Sequence, residues 1–159
     1  MSARPLLDEL PDWAPGTVAV LSTAGGPAHA IPVSTGVRAG PRLVVIALAR
    51  RRESLARLRD DPRCALTLLA GGDVACTAHA RAEIVQEPMA ISDRVAAVAL
   101  HVDEIQDHRQ PRFAIDDGVR WRWTDDEAER RDGEIREALA ELALSLAGQP
   151  LVRARRTNH

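Results

Sequence analysis

Short apolar runs, most of them ended by a glycine or proline turn, place the tightest constraint on how this chain can fold. The first half contains five such runs, at residues 17–22, 28–37, 42–49, 65–69 and 74–85. Glycine-rich turns separate them, as at residues 71–73, and this spacing predicts antiparallel strands joined in hairpins. Residues 42–49 (RLVVIALA) are apolar almost throughout. We therefore expect that strand to be buried on both faces.

Two helices are predicted in the middle of the chain. Residues 51–60 carry Leu55 and Leu58 at helical spacing, and Pro62 would end that helix. A second helix should open at Glu87-Pro88. The reason is that apolar residues from Ile91 to Ile105 recur at intervals of 4, 3, 4 and 3, which is typical of one buried helix face.

The last third of the chain predicts a further hairpin and a third helix. Asp116-Asp117-Gly118, between residues 112–115 and 119–124, has the composition of a hairpin turn. The third helix should begin near residues 124–126 and bury one face. That face comprises Ile135, Leu139, Leu142 and Leu146. We expect one α+β domain over residues 1–150, a small antiparallel barrel with peripheral helices, followed by a polar basic tail at residues 151–159.

Charge and composition exclude several classes of function. The 159 residues carry a formal net charge of −2, so no basic field favours nucleic acid. The apolar run at residues 43–49 is far shorter than the ~20 residues of a membrane helix. The first ten residues contain no basic stretch followed by an apolar one. We therefore expect a cytoplasmic protein with neither a nucleic-acid nor a membrane partner. The sequence contains no lysine or tyrosine, which excludes Schiff-base chemistry on a protein lysine.

The densest basic cluster lies where a buried strand should end and a helix should begin. Arg50-Arg51-Arg52 precede the helix, and Ser54 and Arg57 lie in its first turns. Helix N-termini present unpaired backbone N–H groups, and arginine grips phosphate oxygens through two hydrogen bonds. A phosphate-bearing cofactor is therefore one interpretation. The other is a solvated helix face on which the arginines pair with nearby carboxylates.

The histidines, cysteines and serines form no catalytic motif. His101 and His108 lie beside acidic residues without HExxH spacing. We interpret them as part of a solvated helix face rather than a metal site. Cys64 and Cys76 lack CxxC spacing and are expected to be reduced thiols in the core. No serine lies in a nucleophile elbow, and no Rossmann or P-loop signature occurs, so no catalytic residue is assigned.

Trp121 and Trp123 share one face of the strand predicted at residues 119–124. Core packing or a dimer contact is one interpretation of this pair. Stacking on a planar ring is the other, and the sequence leaves both open.

Three segments of the sequence combine strands, turns and helices in an order that resembles a known family. Residues 18–33 (VAVLSTAGGPAHAIPV) combine a short strand, a glycine turn and a Pro-Val strand, and residues 48–69 (LARRRESLARLRDDPRCALTLL) combine a strand, a helix, Asp-Pro-Arg and a strand. Residues 79–89 (HARAEIVQEPM) resemble a strand ending that precedes a helix. Together they resemble the pyridoxamine 5′-phosphate oxidase-like family of flavin and deazaflavin proteins. Ser54 stands where that family usually has a basic residue, and Ala80 where it has glycine.

The resemblance implies a split β-barrel of six or seven mostly antiparallel strands with peripheral helices, of the FMN-binding type. It also implies a homodimer with two cofactors at the subunit interface. The second and third strands would carry the isoalloxazine ring, and the arginine run would hold the phosphate. The cofactor-binding residues implied are Pro32, Val33, Ser34, Ala47, Ala49, Arg50, Arg52, Ser54 and Arg57.

The resemblance leads us to expect a flavin-dependent oxidoreductase that binds FMN and transfers hydride or electrons to or from a small molecule. A reductase of the same fold that uses the deazaflavin coenzyme F-420 is the alternative. A second class is a non-catalytic flavin or haem carrier, with His79 or His101 as the plausible haem ligand. A third is an interaction module with an empty pocket.

Overall fold

The computed structural model describes residues 5–148, so the predicted tail at residues 151–159 lies outside the described residues. The described chain forms eight strands and two helices. The strands are β1 (Leu6–Leu7), β2 (Ala19–Thr23), β3 (His29–Val33), β4 (Val37–Gly40), β5 (Leu43–Ala49), β6 (Arg63–Ala70), β7 (Val74–Gln86) and β8 (Val95–Asp107). The helices are α1 (Glu53–Asp60) and α2 (Asp126–Ala147).

All eight strands belong to one antiparallel sheet in the order β3-β2-β6-β7-β8-β5-β4, with β1 beside β8. The sheet is curled, because three strands separate β2 from β5 and yet both contact α1. Leu21 of β2, Ile46 of β5 and Leu66 of β6 accordingly pack in one core. This open barrel, with two peripheral helices, confirms the predicted split-barrel architecture.

Helix α2 explains why the middle of the barrel wall is buried on both faces. It packs on β4 and β5 through Ile135 and Leu139, which form a second core with Val45, Ala97 and Ala99. Alanine on the outer face of β8 lets the helix approach the sheet closely, while the opposite face contributes larger side chains to the barrel core. The prediction that this strand is buried on both faces is confirmed at Val44, Val45 and Ile46, whereas Arg42 is exposed. The predicted third helix is also confirmed.

The helix predicted to open at Pro88 is wrong, because residues 95–107 form the central strand β8. Two features of this strand imitate helical spacing. Val95 faces α2 whereas Val98 faces the barrel, so the interval of three joins opposite faces. A register shift leaves Asp103 without a partner in β7, and Val102 and Ile105 consequently both face the core. His101 and His108 therefore do not lie on a helix. Among the described residues no group of three potential metal ligands exists.

The hairpin predicted around Asp116-Asp117-Gly118 is also wrong. The segment from 108 to 123 is irregular apart from one bridge between Thr17 and Arg120. It docks on the β6–β7 turn, where the amide of Ile115 donates to Asp73 Oδ1 (2.9 Å) and the amide of Asp73 donates to Ile115 O (3.1 Å). The strand predicted at residues 28–37 is likewise divided into β3 and the start of β4.

Within the described residues, no helix is both long and apolar enough to cross a membrane. The two cysteines are reduced and buried, as predicted. Desolvation raises the pKa of Cys64 to about 12 and that of Cys76 to about 11. Both side chains are therefore neutral thiols near neutral pH.

Candidate functional site

A cleft of about 260 Å³ opens where the β3–β4 connection meets the end of β5 and the start of α1. We call it the tryptophan cleft, because two indole rings form one of its sides. Its lining residues are Ile31, Pro32, Val33, Ser34, Thr35, Ala47, Leu48, Ala49, Arg52, Ser54, Trp121, Trp123 and Asp132.

The break between β3 and β4 gives the cleft a polar strip. Thr35 leaves the strand geometry and bonds to β5 through its side chain: its hydroxyl accepts from the amide of Ala47 (3.1 Å) and lies 3.4 Å from the carbonyl oxygen of Ala47. The side chain thus replaces a ladder hydrogen bond, and the chain is free to turn. The neighbouring Ser34 is only 4% exposed. Its hydroxyl lines the cleft and bonds to no other described residue.

The N-terminus of α1 forms the basic end of the cleft. Arg52 occupies the N-cap position without a side-chain cap, so unpaired backbone N–H groups of the first turn remain available. The exposed guanidinium of Arg52 makes no hydrogen bond or ion pair with any described residue. Ser54, in the first turn, is 1% exposed, and its hydroxyl lies 3.0 Å from His29 Nε2.

Trp121 and Trp123 form the aromatic side. Their ring centroids lie 6.3 Å apart with an interplanar angle of 66°, and 42% and 41% of these residues remain exposed. They belong to the irregular segment and not to a strand. The amide of Val18 donates to Val119 O (2.8 Å) and anchors that segment beside β2. The pair is therefore not core packing, and a dimer contact or a ring contact remains.

Seven of the nine predicted cofactor-binding residues line this cleft. They are Pro32, Val33, Ser34, Ala47, Ala49, Arg52 and Ser54. Arg50 does not, because its guanidinium donates to Asp93 O (2.8 Å) and lies 3.8 Å from Glu87.

Arg57 is also held elsewhere. Its guanidinium donates to Pro27 O (2.7 Å) and pairs with Glu53 (2.9 Å), so it fastens the β2–β3 turn to α1. This ion pair is the one that the solvated-face interpretation of the cluster predicted.

Sequence reasoning missed His29, Thr35 and Asp132 as neighbours of the site. His29 is the partner of Ser54, and its Nδ1 lies 3.8 Å from Glu53. Asp132 reaches the cleft from α2, where it pairs with Arg136 (2.9 Å). The sequence held a weak signal for Thr35 alone, since Ser34-Thr35-Gly36 interrupts an otherwise apolar run.

Comparisons with known proteins bear on the fold. No protein-family model matches the chain, and no curated protein matches it. Solved structures do. One is a candidate pyridoxamine 5′-phosphate oxidase from Lactobacillus delbrueckii, at 18% identity and a TM-score of 0.48, covering 56% of this chain and 83% of that one.

Two further matches differ in what they are named for. A haem-binding protein from Mycobacterium smegmatis aligns at 17% identity and a TM-score of 0.47, over 57% of this chain and 48% of that one. A homologue of nitrilotriacetate monooxygenase component B from Mycobacterium thermoresistibile aligns at 12% identity and a TM-score of 0.49, over 70% and 87%. At these identities the likeness concerns the fold and not the ligand.

Proposed function

We propose that this protein binds FMN in the tryptophan cleft and acts as a flavin-dependent oxidoreductase. The observation that carries the proposal is the meeting of three features in one cleft: an unpaired arginine beside an uncapped helix N-terminus, a small-residue wall, and two exposed indoles. The arginine and the helix N-terminus suit a phosphate. The small side chains leave room for a flat ring, and the indoles can contact the edge of that ring.

The basic end fits the phosphate. Unpaired N–H groups of α1 and the guanidinium of Arg52 are donors, and a phosphate monoester offers three acceptor oxygens. The hydroxyl of Ser54 is a further donor when it accepts its other hydrogen bond from His29 Nε2. Ser34 supplies a further hydroxyl, which has no partner among the described residues. Within residues 5–148, the carboxylate of Asp132 is the only one that lines the cleft, and it is already paired with Arg136.

The small-residue wall fits the ring. Ala47 and Ala49 lie two residues apart on β5, so both small side chains face the cleft. A planar group can therefore approach the backbone there. Trp121 and Trp123 would cover the opposite side and exclude water. When bound, FMN supplies the hydride or electron transfer. The chain would bind and orient the cofactor, and no described residue in the cleft is assigned as an acid or a base.

A homodimer would complete the site. At about 260 Å³ the cleft is smaller than the ~300–1,000 Å³ of typical cofactor pockets. Val20 and Leu69 on the outer face of β2 and β6 are 41% and 47% exposed, and Val20 pairs in register with the cleft residue Pro32. A second copy seated on this face would therefore reach the cleft.

Of the predicted alternatives, the deazaflavin coenzyme F-420 would fit the same cleft. Its phosphate needs the same donors as that of FMN, and its ring needs the same small-residue wall. The haem alternative has less support. His101 pairs with Glu83 (3.3 Å), and neither His101 nor His79 lines the cleft. We therefore keep FMN first, with the deazaflavin as the competing cofactor.

Titration of the apoprotein with FMN tests the proposal. Loss of one charged hydrogen bond to phosphate costs about 1.5–3 kcal/mol, or roughly ten- to a hundred-fold in affinity. Arg52→Ala should weaken FMN binding by that factor. The matched control Arg130→Ala removes an exposed arginine on α2 and should leave the affinity unchanged. Quenching of the cleft tryptophans reports binding, and the absorption spectrum distinguishes flavin from deazaflavin. Equal affinities in the two variants would mean that Arg52 is a solvated side chain.

A further inference from the structure

Arginine side chains surround a second cavity that the proposed FMN site does not use. It encloses about 940 Å³ and shares Ala49 and Arg52 with the tryptophan cleft. Its walls are the end of β5, the last turn of α1 and the β7–β8 turn. Five arginines line it: Arg50, Arg51, Arg52, Arg59 and Arg94. We call it the basic cavity.

The charges in the basic cavity do not balance. Two carboxylates, Glu87 and Asp93, stand against the five arginines and leave an excess of three positive charges. Glu87 pairs with Arg59 and lies 3.8 Å from Arg50, so its charge is already engaged.

Three of the five guanidiniums have no partner in the described part of the chain. Arg51, Arg52 and Arg94 make no side-chain hydrogen bond or ion pair within residues 5–148. Arg52 is accounted for by the phosphate proposed in the cleft. Arg51 and Arg94 are not, although they lie on different segments, the β5–α1 connection and the β7–β8 turn, and line one cavity.

Like charges gathered around a concave wall repel one another, and the surrounding protein focuses their field into the cavity. An anion of two or more charges relieves that repulsion. Guanidinium groups bind the oxygens of phosphate and carboxylate in pairs, which favours an oxyanion over a halide.

We propose that the basic cavity binds a multiply charged oxyanion, a diphosphate or a polycarboxylate, in addition to the phosphate at Arg52. The anion has two possible sources. It belongs either to an extension of the cofactor beyond its first phosphate or to a separate anionic substrate. The site itself does not depend on FMN, because Arg51 and Arg94 lie outside the tryptophan cleft.

Calorimetric titration of the full chain with pyrophosphate, with and without FMN, tests the site. We expect saturable binding that Arg51→Ala and Arg94→Ala each weaken by about ten-fold, and that Arg130→Ala leaves unchanged. FMN affinity should be the same in all three variants. Neither Arg51 nor Arg94 holds another described residue through its side chain, so both variants should keep the melting temperature of the parent.

Comparison of FAD with FMN separates the two sources. If the anion belongs to the cofactor, FAD should bind more tightly than FMN, exclude pyrophosphate, and lose its advantage in Arg51→Ala. If it belongs to a substrate, FMN and pyrophosphate should bind together and FAD should show no advantage.

Two results would overturn the proposal. One is pyrophosphate binding that is absent or equal in all variants, which would make these arginines a solvated surface. The other is pyrophosphate binding that competes with FMN and falls only in Arg52→Ala, which would place the anion in the cleft. A protein that binds pyrophosphate as expected but not FMN would refute the proposed flavin function and leave the basic cavity intact.

Discussion

Arg52 and Arg57 belong to the same short basic run, yet their side chains have different surroundings. Arg57 is fixed by Glu53 and by the β2–β3 turn, whereas Arg52 precedes the helix and meets no acceptor in the described structure. The difference comes from position in the chain. Arg57 lies within α1, where it reaches both Glu53 and the β2–β3 turn, whereas Arg52 precedes the helix. A run of equal charges thus divides into a structural residue and a candidate ligand.

A second residue-scale feature predicts how stability responds to acid. Arg63 donates to both carboxylate oxygens of Asp61 (3.0 and 2.7 Å) and lowers its pKa from the ordinary 3.8 to about 2. A lowered pKa in the folded state means that the ionised carboxylate stabilises the fold above about pH 4, and that this contribution disappears as the pH falls through 2.

Asp61→Asn should therefore lower the free energy of unfolding at neutral pH, and the difference from the parent should vanish towards pH 2. Denaturant unfolding at a series of pH values measures it. Asp60→Asn, which alters an exposed neighbour without a described hydrogen bond, is the matched control. A difference between Asp61→Asn and the parent that persists unchanged at pH 2 would contradict the expectation.

At the scale of elements, the irregular segment between β8 and α2 decides the form of the candidate site. It carries Trp121 and Trp123, and it is held to the β6–β7 turn by close backbone contact. A Cβ on Gly118 would lie 2.3 Å from Leu69 O and 3.0 Å from the Cα of Ala70. Only a residue without a side chain allows this approach.

Gly118→Ala should therefore destabilise the protein by about 1–3 kcal/mol, because the backbone of the segment or of β6 must shift. It should also displace the tryptophans and alter their fluorescence. Gly133→Ala is the control, since a Cβ there meets nothing within 4 Å. Alanine inside α2 should raise stability by about 0.5–1 kcal/mol. Thermal unfolding of both variants checks the contrast, and a Gly118→Ala protein as stable as the parent would refute the close-packing argument.

At the scale of the whole molecule, the curled sheet presents apolar side chains outside its core. Val20 and Leu69 lie on the outer face of β2 and β6, and Trp121 and Trp123 beside the cleft are also exposed. Exposed apolar patches of this kind mark association surfaces in soluble proteins. The proposed homodimer would bury this face and close the cleft in one step.

Sedimentation should accordingly give twice the chain mass of 17.3 kDa at micromolar concentration. Val20→Glu with Leu69→Glu should shift the protein to the monomer and weaken FMN binding, because charge is placed in the proposed interface. Leu144→Glu alters a side chain that is 79% exposed on α2 and should leave the mass unchanged. A monomer of the parent chain at this concentration would contradict the proposal.

Most of the strands and helices, and the turns between them, follow from local signals in the sequence. Glycine and proline turns marked the hairpins β2–β3 and β6–β7, and apolar spacing marked α1 and α2. These signals are local, since turn chemistry and helix periodicity act within a few residues. The predicted site residues came instead from the family resemblance, and seven of those nine line one cleft.

Tertiary structure alone decided the rest. Residues 95–107 carry a helix-like apolar spacing, but β5 and β7 both need a hydrogen-bonding partner, and a strand between them satisfies both edges. The sequence could not reveal that Asp103 bulges out of register, or that Asp73 and Ile115 bond to each other where a hairpin was predicted. The partners of Arg50 and Arg59 were decided in the same way, because Asp93 and Glu87 lie far along the chain from them. The Arg57–Glu53 pair, in contrast, is local to α1.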